Sequence, residues 1–156
     1  MSHVGTSVEV VVVVAEEREY AAIAALIIDG LVERWGWHDS TLNPDLKSFD
    51  EFYRDATVLV AKVEQRIVGC GVLANERVGI GRIVRMSVAR HWRHSGIGSQ
   101  ILAALLESAK RLGYTQVVLE TSADWDSAIR FYESNGFSRT KTEDGDQHFA
   151  LNVGSA

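Results

Sequence analysis

One cysteine, one proline and two methionines stand in 156 residues, and the formal net charge is −5. The single Cys70 excludes an internal disulfide and suits a reducing compartment. Its setting, Ile67-Val68-Gly69-Cys70-Gly71-Val72-Leu73, is apolar, so the thiol reads as a buried packing group rather than a nucleophile. A basic surplus is missing as well: 16 Lys and Arg face 21 Asp and Glu, which argues against a nucleic-acid partner. The run Val8 to Ala15 is far shorter than the roughly 20 residues of a spanning helix, and no basic start or cleavage site accompanies it. No membrane partner and a cytoplasmic location are therefore expected. Linkers, repeats and low-complexity segments are lacking, so one domain over 1–156 is the expectation.

The composition that remains, 46% apolar and 24% charged, is that of an ordinary globular chain. Val8–Val14 is β-branched and reads as a strand. From Glu16 to about Trp35, Ile23, Leu26, Ile27, Leu31 and Val32 recur at helical spacing. Asn43-Pro44-Asp45 marks a turn within a polar loop, 39–50, with a short helix near Phe49–Tyr53. Thr57–Val63 and Ile67–Ala74 read as strands joined by a tight turn at Glu64-Gln65-Arg66, and Ile83–Ala89 as another strand. A helix begins near Gly96, with Ile97, Ile101, Leu102, Leu105 and Leu112 as its buried stripe and Gly113 placed to end it. Gln116–Thr121 has the pattern of a strand covered on both faces. Asp126–Ser134 is a short helix stopped by Asn135-Gly136, and two last strands flank Asp144-Gly145. The order β-α-(α)-β-β-β-α-β-α-β-β predicts an α/β fold (α+β in some schemes): a mixed, largely antiparallel sheet with helices on both faces.

Between Val84 and Gly98 a strand passes into a helix through Arg93-His94-Ser95-Gly96-Ile97-Gly98. A glycine-containing loop at a helix start exposes main-chain N–H groups, and the helix dipole joins them in favouring an anionic phosphate. The same glycines can equally do no more than ease the turn into the helix. A Walker loop does not fit, because Gly98 is followed by Ser99-Gln100 without a lysine. A dinucleotide fingerprint does not fit either, because Ile101 holds the third glycine position.

One strand further on comes Ala128-Ile129-Arg130-Phe131-Tyr132-Glu133-Ser134-Asn135-Gly136-Phe137. Together the two stretches resemble the GNAT superfamily of acyl-CoA-dependent N-acetyltransferases. Arg93–Gly98 is similar to its pyrophosphate loop, Gln/Arg-x-x-Gly-x-Gly/Ala, and the second stretch is similar to its other signature, with the element order agreeing along nearly the whole chain. The resemblance implies an acyl-CoA N-acyltransferase fold and transfer of the acetyl group of acetyl-CoA to a primary amine, of a small molecule or a protein, by direct attack in a ternary complex. It implies that Met86, Ser87 and Val88 hold the pantetheine arm through main chain, and that the Val88 N–H polarises the thioester carbonyl. By the same resemblance Arg93, His94, Ser95, Gly96, Ile97, Gly98 and Ser99 hold the pyrophosphate.

Tyr132 matches the tyrosine that the family uses as general acid; a phenol near pKa 10 suits a leaving thiolate near 8.5. Taken alone, the residue reads as an amphipathic core side chain. The sequence departs from the pattern where Arg82 stands near the position of a frequent glutamate base, where His94 and Ser95 precede the loop glycines, and where Trp125 replaces an asparagine. Glu120 is then the first candidate base and Asp124 the second, each with the alternative of a plain solvated carboxylate. His91-x-x-His94 lacks acidic or cysteine partners, so no metal is expected. Trp35, Trp37 and His38 either shape an acceptor pocket or pack the helix end. Asp39, Asp45, Asp50, Glu51, Glu143, Asp144 and Asp146 either suit a cationic amine or simply meet water. A homodimer is a further implication of the resemblance. A different acyl donor, propionyl or succinyl, and a non-catalytic acyl-CoA sensor are the competing readings.

Overall fold

The computed structural model describes residues 9–36 and 43–154. Among them seven strands form one sheet: β1 (Val11–Val14), β2 (Thr57–Val63), β3 (Arg66–Arg77), β4 (Ile80–Val88), β5 (Gln116–Ser122), β6 (Ser138–Glu143) and β7 (Asp146–Asn152). Their spatial order is β1-β2-β3-β4-β5-β7-β6, antiparallel throughout except for the parallel pair β4 and β5. The helices are α1 (Tyr20–Trp35), α2 (Phe49–Phe52), α3 (Ile97–Arg111) and α4 (Asp126–Ser134). This is the mixed sheet with helices on both faces that the element order predicts. The parallel pair arises because α3 is the crossover of a β-α-β unit.

Strand alternation divides the core in two. Leu59, Ala61, Ile83, Val117, Leu119 and Phe149 face α3, where Ile97, Ile101, Leu102 and Leu105 meet them. Val58, Val60, Cys70 and Val72 face the other way, against Ile23 and Ile27 of α1 and Phe49 of α2. Close approach of α3 to β3 needs glycine: a Cβ on Gly71 would lie 2.8 Å from Leu105 Cδ1, and one on Gly69 2.8 Å from Ile101 Cδ1.

Two hairpins turn through paired left-handed residues, Glu64 and Gln65 (φ 50° and 71°) and Asp144 and Gly145 (φ 52° and 83°). That geometry matches the twist of the flanking strands, so β3 opens at Arg66, one residue before the expected Ile67. β4 likewise begins at Ile80 rather than Ile83. Gly81 looks like punctuation in the sequence, but here it lets the strand approach Leu73 Cδ1, which a Cβ would meet at 2.9 Å. Leu112 is not part of the α3 stripe: it follows the last helical residue and is 59% exposed. Gly113 (φ 86°) then closes the helix, donating to the Lys110 carbonyl while Tyr114 N–H reaches that of Ala109. Val32 is likewise exposed. Of the expected first strand, Val8 lies outside the described residues, and pairing starts at Val11.

β5 departs most from expectation. Only Val117 and Leu119 are buried; Val118 and Glu120, on the opposite face, are half-exposed. α1 lies over β3 and β4 and leaves β5 uncovered on that side. Half of the sheet is therefore two-sided core, and the other half keeps an open face.

Candidate active site

β4 and β5 run side by side for only three residues: Ile80, Gly81 and Arg82 pair with Gln116, Val117 and Val118. Beyond them β4 stays with β3 and β5 with β7, so the β4 edge from Ile83 to Val88 has no strand partner on its β5 side. A bulge lies at the same place. Gly71 alone opposes Arg85 and Met86, and Arg85 takes φ 56°, a left-handed value unfavourable for a non-glycine residue. Arg85 is held there by side-chain bonds. Its Nε and Nη2 grip the two oxygens of Asp45 at 2.9 and 2.8 Å, and Nη2 also donates to Asn43 Oδ1 at 3.0 Å. Tyr53 donates its hydroxyl proton to Asp45 Oδ2 at 2.6 Å. Burial alone raises the Asp45 pKa, but Arg85 and Tyr53 outweigh it and hold the carboxyl below its ordinary range. Burial, then Asp45, pushes Tyr53 up to about 12. Cys70 donates its thiol to the Arg85 carbonyl and is pushed up to about 12 by burial, so it stays a neutral packing group.

At the far end of β4 the chain makes a short turn and enters α3 through His94 (φ 63°) and Gly96 (φ 87°). Gly96 is the N-cap residue, and no side chain caps the helix. The N–H groups of Ile97, Gly98 and Ser99 consequently have no intrahelical acceptor. A Cβ on Gly96 would meet nothing within 4 Å, so this glycine answers a backbone demand beside open space. Gly98 answers a packing demand, since its Cβ would lie 3.3 Å from Phe131 Cζ and 3.8 Å from Val88 Cγ2. Through that contact α4, the first turn of α3 and the end of β4 converge. Such a cradle of open main-chain donors fits an anionic pyrophosphate. The side chains around it are engaged elsewhere: Arg93 donates Nη2 to Glu33 Oε1 at 2.7 Å and Nε to the Val88 carbonyl at 3.0 Å, and Ser95 donates to the Trp92 carbonyl.

Tyr132 follows Phe131 on α4 and packs among Phe131, Phe137 and Phe149, with ring centroids 5.1 to 5.9 Å away. Burial pushes its pKa up to about 12, and no hydrogen bond from a described residue occupies its hydroxyl. The hydroxyl is thus neutral at physiological pH and unengaged by the described residues.

Glu120 stands on the open face of β5, ion-paired with Arg82, while the Arg82 Nη1 also reaches Glu76 at 3.3 Å. His148 Nδ1 lies 3.8 Å from the second Glu120 oxygen. Arg82 is therefore engaged by two carboxylates, Glu120 and Glu76. Asp124 is 79% exposed at its side chain and touches Arg34 Nη2 at 3.2 Å.

Asp45 is the most changed of the acidic candidates: it is buried in the Arg85 pair, where the sequence suggested an acceptor or solvent role. Forty residues separate the two, so no local pattern signals the pairing. Asp50, Glu51, Glu143 and Asp144 are exposed, and Asp146 is half-exposed. His91 and His94 are exposed, and among the described residues no three His, Cys, Asp or Glu side chains gather as metal ligands. Trp37, His38 and Asp39 lie outside the described residues.

Residues 20–137 match the family model for the acetyltransferase (GNAT) family, and the chain belongs to that family. It is 33% identical over 103 residues to the probable N-acetyltransferase 14 of Xenopus tropicalis, a match covering 63% of this chain and 50% of that protein. The chain thus spans about half the length of that relative. Among solved structures, a GNAT-family acetyltransferase of Staphylococcus aureus Mu50 superposes with a TM-score of 0.84 at 19% identity, over 93% of this chain and 99% of that one. The PaiA N-acetyltransferase of Thermoplasma acidophilum, solved in complex with coenzyme A, superposes at 0.80 and 13% identity, over 92% and 99%. At such identities the likeness is one of fold. No helix among the described residues is long and apolar enough to cross a membrane.

Proposed function

We propose that this protein is a cytoplasmic N-acetyltransferase that takes its acyl group from acetyl-CoA and delivers it to a primary amine. The carrying observation is the convergence at Gly98: an uncapped helix N-terminus and an unpaired strand edge meet Phe131 of α4, whose neighbour Tyr132 is a neutral phenol packed on the Phe131 ring. Family membership and the coenzyme A complex of the PaiA relative support the same donor.

Acetyl-CoA supplies an acyl carbon on a thioester, which an amine nitrogen attacks as the carbon–sulfur bond breaks. Main chain of His94 to Ser99 binds the pyrophosphate, and the unpaired edge at Met86, Ser87 and Val88 aligns the pantetheine arm. The Val88 N–H stabilises the oxygen on which charge develops. Tyr132 gives its proton to the departing sulfur. Glu120 receives the proton shed by the acceptor ammonium, with Arg82 setting the orientation of the carboxylate. Arg93 contributes by tying β4 to α1 through Glu33.

One observation favours the second reading, a non-catalytic acyl-CoA sensor: the only acid facing the opening from β5 is already paired with Arg82. Calorimetry on the wild type and Gly96→Glu tests the shared donor site, with binding expected in the first and lost in the second. Absence of wild-type binding overturns both readings. Thiol release with an amine panel separates them, since a sensor binds and releases none.

A further inference from the structure

α1 crosses β4 at a small residue: a Cβ on Gly30 would lie 3.1 Å from Ser87 Oγ. Arg34 is one helical turn further along the same side of α1. Its side chain does not stop at β4 but reaches the far wall of the opening, the loop between β5 and α4. There the guanidinium carbon lies 5.1 Å from the ring centroid of Trp125 and 4.3 Å from that of Trp35. Both indoles remain partly exposed, at 47% for Trp35 and 40% for Trp125.

The polar bonding of Arg34 is incomplete. Nη2 makes one end-on contact, 3.2 Å to Asp124 Oδ1, and that carboxylate is 79% exposed. Nε is buried and has no hydrogen-bond partner among the described residues. A guanidinium offers Nε–H and Nη2–H as a parallel fork matched to the two oxygens of a carboxylate, and a buried donor left unmade is costly. Asp124 uses one tine of that fork and leaves the other empty. An incoming carboxylate that replaces it fills both, while the indole faces strengthen the cation by excluding water.

We propose that Arg34 is the acceptor-recognition residue of this cleft and that the acceptor is an amino acid, its carboxylate taken by the Arg34 fork and its amine presented toward the open side of β5. Glu120 faces that same side, so opposite charges of a zwitterion meet opposite partners across the opening. Asp124 then acts as a resident stand-in for the substrate carboxylate. This inference rests on the acetyl-transfer reading.

Two measurements separate the inference from that reading. Acetyl-CoA calorimetry tests the donor site alone and is expected to be the same for wild type, Arg34→Leu and Arg34→Lys. Thiol release is then compared for free α-amino acids and their methyl esters. The free acids are expected to lead in kcat/KM by about ten-fold or more in the wild type, because a site built around a charged group rejects the analogue lacking it. Arg34→Leu should erase that lead with the ester rates unchanged, and Arg34→Lys should restore only part of it, since an ammonium has no fork. Asp124→Asn should lower KM for the acids only. Should no turnover be found, indole emission titrated with the same acids and esters decides the matter: quenching by acids that is lost in Arg34→Leu supports the inference. Equal behaviour of acids and esters in the wild type, or an acid preference that survives Arg34→Leu, overturns it.

Discussion

The two sides of the β4–β5 opening are built from different materials. On the α3 side the site is main chain: an unpaired strand edge, a loop in left-handed conformations and the bare N-terminus of a helix. On the α1 side it is side-chain charge: Arg85 with Asp45, Arg82 with Glu120, Arg34 with Asp124. The first construction tolerates almost any side chain that permits the backbone to take its shape, so His94 and Ser95 can stand in the loop. The second depends on the identity of each charged group.

Substitutions on each side should reflect that difference. The largest effect is expected at the junction. Tyr132→Phe should lower kcat by about 100-fold, on the order of 3 kcal/mol, with acetyl-CoA affinity unchanged. Because burial pushes this hydroxyl up to about 12, the loss should be nearly even across neutral and mildly alkaline pH. A loss that fades as pH approaches about 10 would mean that the phenol titrates as an ordinary one and is not so buried.

Next in size is the buried pair on the α1 side. Asp45→Asn leaves Arg85 uncompensated at the bulge and should cost about 3 kcal/mol of stability by denaturant melting. The wild-type Asp45 carboxyl titrates below its unfolded value, so its contribution is complete above that value and fades as pH falls through the lowered one. The variant should lack this acid-side decline. Equal stability of the two proteins would show that the bulge is held by the strands alone.

The smallest effects compare the two loop glycines. Gly96→Ala forces a Cβ into a left-handed position and should cost about 1 kcal/mol, seen in weaker acetyl-CoA binding or a lower melting point. Gly98→Ala keeps helical geometry, needs only a small shift of the Phe131 ring, and should cost less than about 1 kcal/mol. Reversal of that order would make packing, rather than backbone conformation, the limiting demand of the loop.

The main-chain side of the opening was legible along the chain because its parts are contiguous. Arg93 to Gly98 passes from strand to helix in a few residues, and Ala128 to Phe137 lies on one short helix, so local pattern carries them. Helix α4 and strand β2 fall at their expected limits for the same reason. The side built from charged pairs was not legible. Asp45 meets Arg85 across forty residues, Arg34 meets Asp124 across ninety, and Glu120 meets Arg82 across thirty-eight. In the sequence, Asp45, Glu120 and Asp124 read either as functional acids or as solvated carboxylates, with no arginine partner signalled for any of them. It also gave β5 two covered faces, since an apolar run looks the same whether one side or both are packed.

By itself, then, the sequence determined the order of the elements, the hairpin turns, the helix ends and the glycine loop that opens α3, because hydrophobic period and backbone preference act over a few residues. Only the tertiary structure decided where β4 and β5 part, which glycine serves conformation and which serves packing, and which charges neutralise one another. Those outcomes depend on distances between segments remote in the chain, and ion pairing and close contact are fixed by distance alone.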